Sequence, residues 1–440
     1  MAKKPSFESL KGFREFYPDE MAARRQVFDT AERVVRTFGY REVNGPSVEP
    51  LDLFRVKSGD EVVEQTYSFT DKGGREVTLI PELTPTVARM VAARAKTMPK
   101  PMKWYSWGKM WRYEQPQSGR LREFYQLNVD CFGSSRPEAD AEILAVGAEI
   151  MLALGLDGEF EFKVNSRQYM NGLLASDIFG IASEKIPAVF TVIDKMHKIS
   201  EYDFKAQLSS LGIKNKALEI LIPALGDVTT FSKLLDFIDK GAEPYGEMTT
   251  RLAEVATLLD GYGLAKYFCL DRSVVRGLAY YTDLVFECFD RKGELRSLFG
   301  GGRYDGVVEL FDGPPTPAVG FAMGDAVLEV LMRRSEKWPE RQQETDYYLV
   351  WVGEAQRAEC LKIARKLREQ DKIVETDVMG KDVSKQMSYA NYIGAKKVLL
   401  LGDEEKRKNM LMVRDMETGQ QFQEPLDKYM NPEGDEGGLT

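Results

Sequence analysis

Three arginines surround one short turn in Trp111-Arg112-Tyr113-Glu114-Gln115-Pro116-Gln117-Ser118-Gly119-Arg120-Leu121-Arg122. Guanidinium groups in that density are suited to holding phosphates or carboxylates. The next residues, Glu123 to Gly133, alternate in character: Gln126, Asn128 and Asp130 share one face of a strand, and Leu127, Val129 and Cys131 share the other. A cationic turn beside a polar strand face suits a site that holds phosphates together with a small polar molecule. An amphipathic hairpin with solvated arginines has the same pattern, so this stretch alone leaves both readings open. Two other segments carry reactive residue types: Arg276-Gly277-Leu278-Ala279-Tyr280-Tyr281-Thr282, and Gly300-Gly301-Gly302-Arg303-Tyr304-Asp305-Gly306.

One number excludes much chemistry: the 440 residues contain a single histidine, His197, set among lysines in Lys195-Met196-His197-Lys198. Ser-His-Asp and Cys-His catalysis would depend on that residue, which reads as a surface position, and multi-histidine metal sites are impossible. Catalysis must rest on carboxylates, arginines, a metal ion or binding geometry. Cys131, Cys269, Cys288 and Cys360 lie far apart with no CxxC, which argues against a zinc site or a disulfide framework. Apolar content of 43% and charged content of 29% describe an ordinary soluble chain of two to four domains. No apolar run is long enough to span a bilayer, and Met1-Ala2-Lys3-Lys4-Pro5 lacks the apolar core of a signal peptide. The expectation is a cytoplasmic protein without membrane partners. A net charge of −9 argues against indiscriminate polyanion binding but permits a local basic surface.

The elements that must position these residues follow from periodicity. Asp19 and Glu20 open a helix with apolar residues at Val27, Phe28, Ala31, Val34, Val35 and Phe38, and Gly39 ends it. Residues 65–69 and 76–80 read as a hairpin about the turn 71–74, and Pro81 to Thr86 as a loop or helix start. A helix is predicted over 137–154. Residues 167–262 read as an inserted helical module without strand alternation, and strand patterns return over 274–289 and 300–308. A charged linker, 335–345, separates this domain (1–334) from a second one over 346–430. There strand–helix alternation (348–352, 355–368, 372–378, 383–393, 397–401, then a ribbon over 410–423) predicts a small, mostly parallel α/β unit. The tail 431–440 is rich in Gly, Glu and Asp and reads as disordered.

Four blocks in order resemble the histidyl-tRNA synthetase family, a class II aminoacyl-tRNA synthetase: Gly12-Phe13-Arg14-Glu15-Phe16-Tyr17-Pro18, with Phe38-Gly39-Tyr40 and Pro46, is similar to its opening and motif 1; Arg112 to Gly133 to motif 2; Arg276 to Thr282, with Val285-Phe286-Glu287, to its histidine-specific segment; and Gly300 to Gly306, with Pro317 to Gly324, to its glycine-rich strand and motif 3. The resemblance covers nearly the whole chain. It implies an α+β catalytic domain, an antiparallel sheet with helices, carrying a helical insertion and followed by an α/β anticodon-binding domain. It also implies a homodimer. The implied reaction joins histidine to tRNA(His) through histidyl-adenylate made from ATP, with Mg²⁺ bridging the outer phosphates and no residue assigned as a metal ligand.

By position, the resemblance makes Arg112, Arg120 and Arg276 catalytic. It places Arg112, Glu114, Arg120, Phe124, Gly302 and Arg303 at ATP, with Arg112 on the α-phosphate and Arg120 on the γ-phosphate. Glu82, Thr84, Gln126, Asp130, Arg276, Tyr280, Tyr281 and Tyr304 fall at histidine. Such chemistry needs fixed positive charge and alignment more than a proton acceptor, which suits a chain with one histidine. For tRNA it points to Lys103, Lys109, Lys195, Lys198, Lys214 and Lys216, and to Tyr389, Asn391, Tyr392 and Arg414 in the second domain. There are departures. Val327 stands where the family's motif 3 places an arginine against adenine, a role then left to Arg303 or Arg122; Asp130 stands where glutamate is common; and Ala279, Asp283 and Gln115 replace frequent Asp, Gly and Arg. The competing reading is a non-ligating relative, a regulatory subunit or uncharged-tRNA sensor. The retained arginines and the second domain weigh against it, and Val327 weighs for it.

Overall fold

The computed structural model describes residues 7–58, 64–196, 198–239, 250–276, 280–340 and 345–430. His197, Gly277 to Ala279 and the tail 431–440 lie outside the described residues, as does most of the second half of the expected linker. The chain divides into two compact units, Met1–Pro339 and Glu340–Thr440.

In the first unit the strands are β1 (Arg41–Glu42), β2 (Val48–Pro50), β3 (Tyr67–Thr70), β4 (Glu76–Leu79), β5 (Met102–Trp111), β6 (Glu123–Phe132), β7 (Phe160–Ser166), β8 (Val228–Thr230), β9 (Phe268–Asp271), β10 (Leu284–Asp290), β11 (Phe299–Arg303) and β12 (Ala318–Gly324). Nine of them form one sheet in the order β1-β5-β6-β12-β11-β10-β7-β9-β8, and β2-β4-β3 form a small one. The large sheet is antiparallel except where β1 meets β5 and β7 meets β9.

One face of this sheet carries the core. Leu127, Val129 and Cys131 of β6, Leu284, Phe286 and Cys288 of β10, and Val319, Phe321 and Met323 of β12 are buried together with apolar residues of the helices Pro18–Thr37 and Pro137–Ala153. The first helix buries Val27, Phe28, Ala31, Val34 and Val35 at the expected spacing, and Gly39 at φ +83° ends it in a conformation only glycine adopts freely. The second is rich in Ala, and its one glycine lies close to the sheet: a Cβ on Gly147 would come within 3.2 Å of Phe162.

Three expectations need correcting. Val274 to Arg276 is a loop, and β10 starts only at Leu284. Side chains hold that loop in place of a ladder: Asn165 Nδ2 donates to the Arg272 and Val274 carbonyls, and Asp271 accepts from the Ser273 amide. Strand β11 stops at Arg303, so 304–308 is a turn. Among the described residues between 167 and 262 there is a strand, β8, alongside six helices of four residues or more; its three residues are too few to show alternation. The helices up to Gly226 enclose their own core, from Tyr169 and Phe190 to Leu221 and Leu225, whereas Phe231, Leu252 and Val255 belong to the main core.

The second unit has β13 (Tyr347–Trp351), β14 (Val374–Thr376), β15 (Lys397–Leu401), β16 (Met410–Asp415) and β17 (Gln421–Pro425), in the order β14-β13-β15-β16-β17. Pairs on either side of β13 are parallel and the ribbon beyond β15 is antiparallel.

Candidate active site

The face of the large sheet away from the two helices is hollow because of the side chains it lacks. Along β6, Gln126, Asn128 and Asp130 point to it; opposite them on β12 stand Gly324, Ala322 and Gly320, and beyond those on β11, Gly300 and Gly302. Alternate residues of paired strands share a face, so a run of Gly and Ala leaves a groove floored by backbone. The result is a cavity of about 430 Å³. The oxygens Gln126 Oε1 and Asn128 Oδ1 are buried there without hydrogen-bond partners, a cost that a ligand's donors would remove.

Distant segments meet in this cavity. Glu82 and Thr84 come from the start of the helix Thr84–Arg94; Arg112, Glu114, Arg120 and Phe124 from the β5–β6 hairpin; Gln126 and Asp130 from β6. Arg276, Tyr280 and Tyr281 come from the segment before β10, and Tyr304 follows β11. Arg112 is held by its Nε donating to the Pro81 carbonyl at 2.9 Å, with its guanidinium 5.2 Å from the Phe124 ring centre. Arg120 pairs with Glu114.

Arg276 has a left-handed backbone, φ +46°, strain of the kind that functional sites store. Its Nη1 lies 3.3 Å from Glu287 Oε1, and its guanidinium lies 5.6 Å from the Tyr281 ring centre. Burial alone would lower its pKa, but Tyr281, Glu287 and Tyr280 outweigh burial and hold it above the ordinary guanidinium value. Tyr304 donates to Asp130 Oδ1, and burial followed by that carboxylate raises its hydroxyl well above the usual range. Burial and then Glu82 raise Tyr280 too. Both remain protonated donors at neutral pH.

Two expected ATP residues are elsewhere. Arg303 is 1% exposed and turned away from the cavity: its Nε and Nη2 donate to Asp140 Oδ1 at 2.9 and 2.6 Å, and its Nη1 to the Ser134 carbonyl and Asp305. Strand parity is the reason, since Gly300 and Gly302 face the cavity side and residue 303 must face the helix Pro137–Ala153. Gly302 does not line the cavity; a Cβ there would meet the Leu284 carbonyl at 2.3 Å and the Tyr281 ring at 2.9 Å, so this glycine makes room for strand β10 and for that ring. Asp140 also pairs with Arg251, and is fully buried. Asp140→Ala would strand buried Arg303, and is expected to cost about 3–5 kcal/mol, read as a lower denaturant midpoint in equilibrium unfolding.

Arg122 does not take up the motif 3 role either: it stacks on Tyr113 at 4.4 Å and donates to the Glu114 carbonyl. Val327 does line the cavity. Cavity residues not singled out from the sequence include Gln65, Glu287, Arg296 and Ser297. Glu287 was legible as an alternate position of β10, whereas Arg296 sits in a polar loop with no distinguishing pattern.

The comparisons with known proteins fit this geometry. Residues 12–327 match the family model described as histidyl-tRNA synthetase, and residues 346–431 match the anticodon binding domain. The chain belongs to the histidyl-tRNA synthetase family. It is 44% identical over 431 residues to the histidine–tRNA ligase of Natronomonas pharaonis, covering 97% of this chain and 98% of that one. It is 42% identical over 434 residues to that of Haloarcula marismortui, covering 96% and 97%. A histidyl-tRNA synthetase crystal structure from a Nostoc species shares the fold, with a TM-score of 0.82 at 24% identity over 97% of this chain and 98% of that one.

Mg²⁺, which the family implies, is compatible with this cavity, because Mg²⁺ serving a nucleotide needs only one or two protein carboxylates. Glu114 and Glu287 line the wall and would hold the ion, which would neutralise phosphate charge. Among the described residues no group of three or more His, Cys, Asp or Glu forms a self-sufficient metal site. Several expected tRNA contacts are tied up: Lys103 pairs with Glu142, Lys109 with Glu123 and Lys198 with Asp194. In the second unit, exposed Tyr392 stacks near Tyr389, with Lys381 Nζ 4.5 Å from the Tyr389 ring centre. Arg414 Nε is buried.

Proposed function

We propose that this protein is a histidine–tRNA ligase that activates histidine with ATP in the cavity over β6, β12 and β11 and transfers it to tRNA(His). The observation that carries the reading is the meeting of Arg112, Arg120 and Arg276 in one cavity with Asp130, Tyr281 and Tyr304. In the first step a histidine carboxylate oxygen attacks the α-phosphorus, the bond to the β-phosphate breaks, and pyrophosphate leaves. Negative charge grows on the phosphoryl oxygens, and Arg112 and Arg276 face it with charge that needs no reorganisation. Arg120 takes the outer phosphates, Phe124 the adenine, and Glu114 orients Arg120. In the second step a terminal ribose hydroxyl of the tRNA attacks the carbonyl carbon and AMP leaves.

The amino acid lies along β6. Glu82 and the acceptor Gln126 Oε1 receive its ammonium, with Thr84 alongside. Neutral imidazole has one donor and one acceptor, which Asp130 and Tyr281 match, with Tyr280 and Tyr304 as walls. Substrates that leave this polar set unpaired are rejected. The catalytic part is read at 1–334, with a helical insertion over about 167–262, a linker at 335–345 and the anticodon-reading part at 346–430. The protein acts as a cytoplasmic homodimer. Among the described residues no helix is long and apolar enough to cross a membrane. The test is ATP–pyrophosphate exchange with each amino acid in turn: exchange with histidine alone is expected, and exchange with another amino acid, or none, rejects the reading.

A further inference from the structure

Arg296 has no role in the reading above, yet it lines the same cavity. It sits in the loop between β10 and β11, and its side chain forms no hydrogen bond or ion pair among the described residues. Arg120 is the strongest charge acting on it, a like charge; burial and that repulsion outweigh the pull of Glu114 and Glu287 and hold its pKa below the ordinary guanidinium value. Both Arg296 and Val327 pack on the glycine just before Arg120: a Cβ built on Gly119 would lie 3.7 Å from Arg296 Cδ and 2.9 Å from Val327 Cγ2. Gly119, at φ +70°, thus brings the Arg120 turn against both side chains. Arg120 has Glu114 as its ion-pair partner, whereas Arg296 feels Glu114 and Glu287 only at longer range and forms no ion pair among the described residues. Placing an unpaired cation beside another cation is unfavourable until an anion joins them.

We propose that Arg296 binds the outer phosphates of ATP together with Arg120, adding from the β10–β11 loop a cation to a cavity whose position 327 carries none. This rests on the ligase reading and names a binding residue within it. A triphosphate is the anion of sufficient charge and reach to touch both guanidinium groups, which bind phosphate through paired N–H donors. Val327 then contributes only an apolar wall.

The test is Arg296→Ala in histidine-dependent ATP–pyrophosphate exchange, with ATP binding measured separately by calorimetry in the absence of histidine. The KM for ATP and its Kd are expected to rise at least about tenfold, the scale of one charge-assisted hydrogen bond, with the KM for histidine within twofold of wild type. Arg296→Lys should fall between the two, and Val327→Arg in the Arg296→Ala background should recover ATP affinity. An Arg296→Ala protein whose ATP KM and Kd stay within twofold of wild type overturns the proposal, as does an equal rise in both substrates' KM. Neither result touches the ligase reading, which fails only if the unaltered protein shows no histidine-dependent exchange.

Discussion

Arg276→Ala is expected to reduce histidine-dependent ATP–pyrophosphate exchange by at least about 100-fold, the scale for removing one preorganised charge from a developing oxyanion. The structure invests heavily in this side chain. Its backbone is held at φ +46°, its guanidinium is flanked by Glu287 and Tyr281, and its charge is secured by them against burial. Because the phosphoryl charge it faces grows only during reaction, the loss should fall on kcat more than on either KM. A variant that keeps more than a tenth of the wild-type rate would show that Arg276 does not stabilise the transition state.

Gly300→Ala, which removes no charge, is expected to cost nearly as much. A methyl group there would lie 1.9 Å from Arg276 Nη1 and 2.6 Å from the Phe286 carbonyl. The guanidinium is the softer neighbour and would move off its station, so exchange should again drop by about 100-fold. The carbonyl clash adds overpacking of about 1–3 kcal/mol, which a thermal melt records separately. The decisive measurement is the double variant: in an Arg276→Ala background, Gly300→Ala should change the exchange rate by no more than about twofold, since residues acting as one unit are not additive. Fully additive losses would mean that Gly300 serves the sheet alone.

Much of this site could be read in the linear chain. The alternation of β6 put Gln126, Asn128 and Asp130 on one face, and they do line the cavity with Asp130 bonded to Tyr304. The turn arginines Arg112 and Arg120 stand in its wall, and the helix Pro18–Thr37 follows its apolar spacing. Local rules suffice in these cases because side-chain direction repeats every two residues in a strand and every 3.6 in a helix. The same parity turns Arg303 away from ATP and toward Asp140, a direction that the strand period alone dictates.

Other features had no signature in the chain. Val274 to Arg276 has the composition of a strand but is a loop, because Asn165, more than a hundred residues earlier, captures its carbonyls. Arg296 looks like any loop arginine until β10, β11 and the motif 2 turn converge and set it beside Arg120. Composition and periodicity therefore specified the elements, the face each presents and the residue types at the site. Which cations share a cavity, and which glycine clears space for which guanidinium, depended on contacts between remote segments. Those contacts arise only when the sheet closes and its strands fall into register.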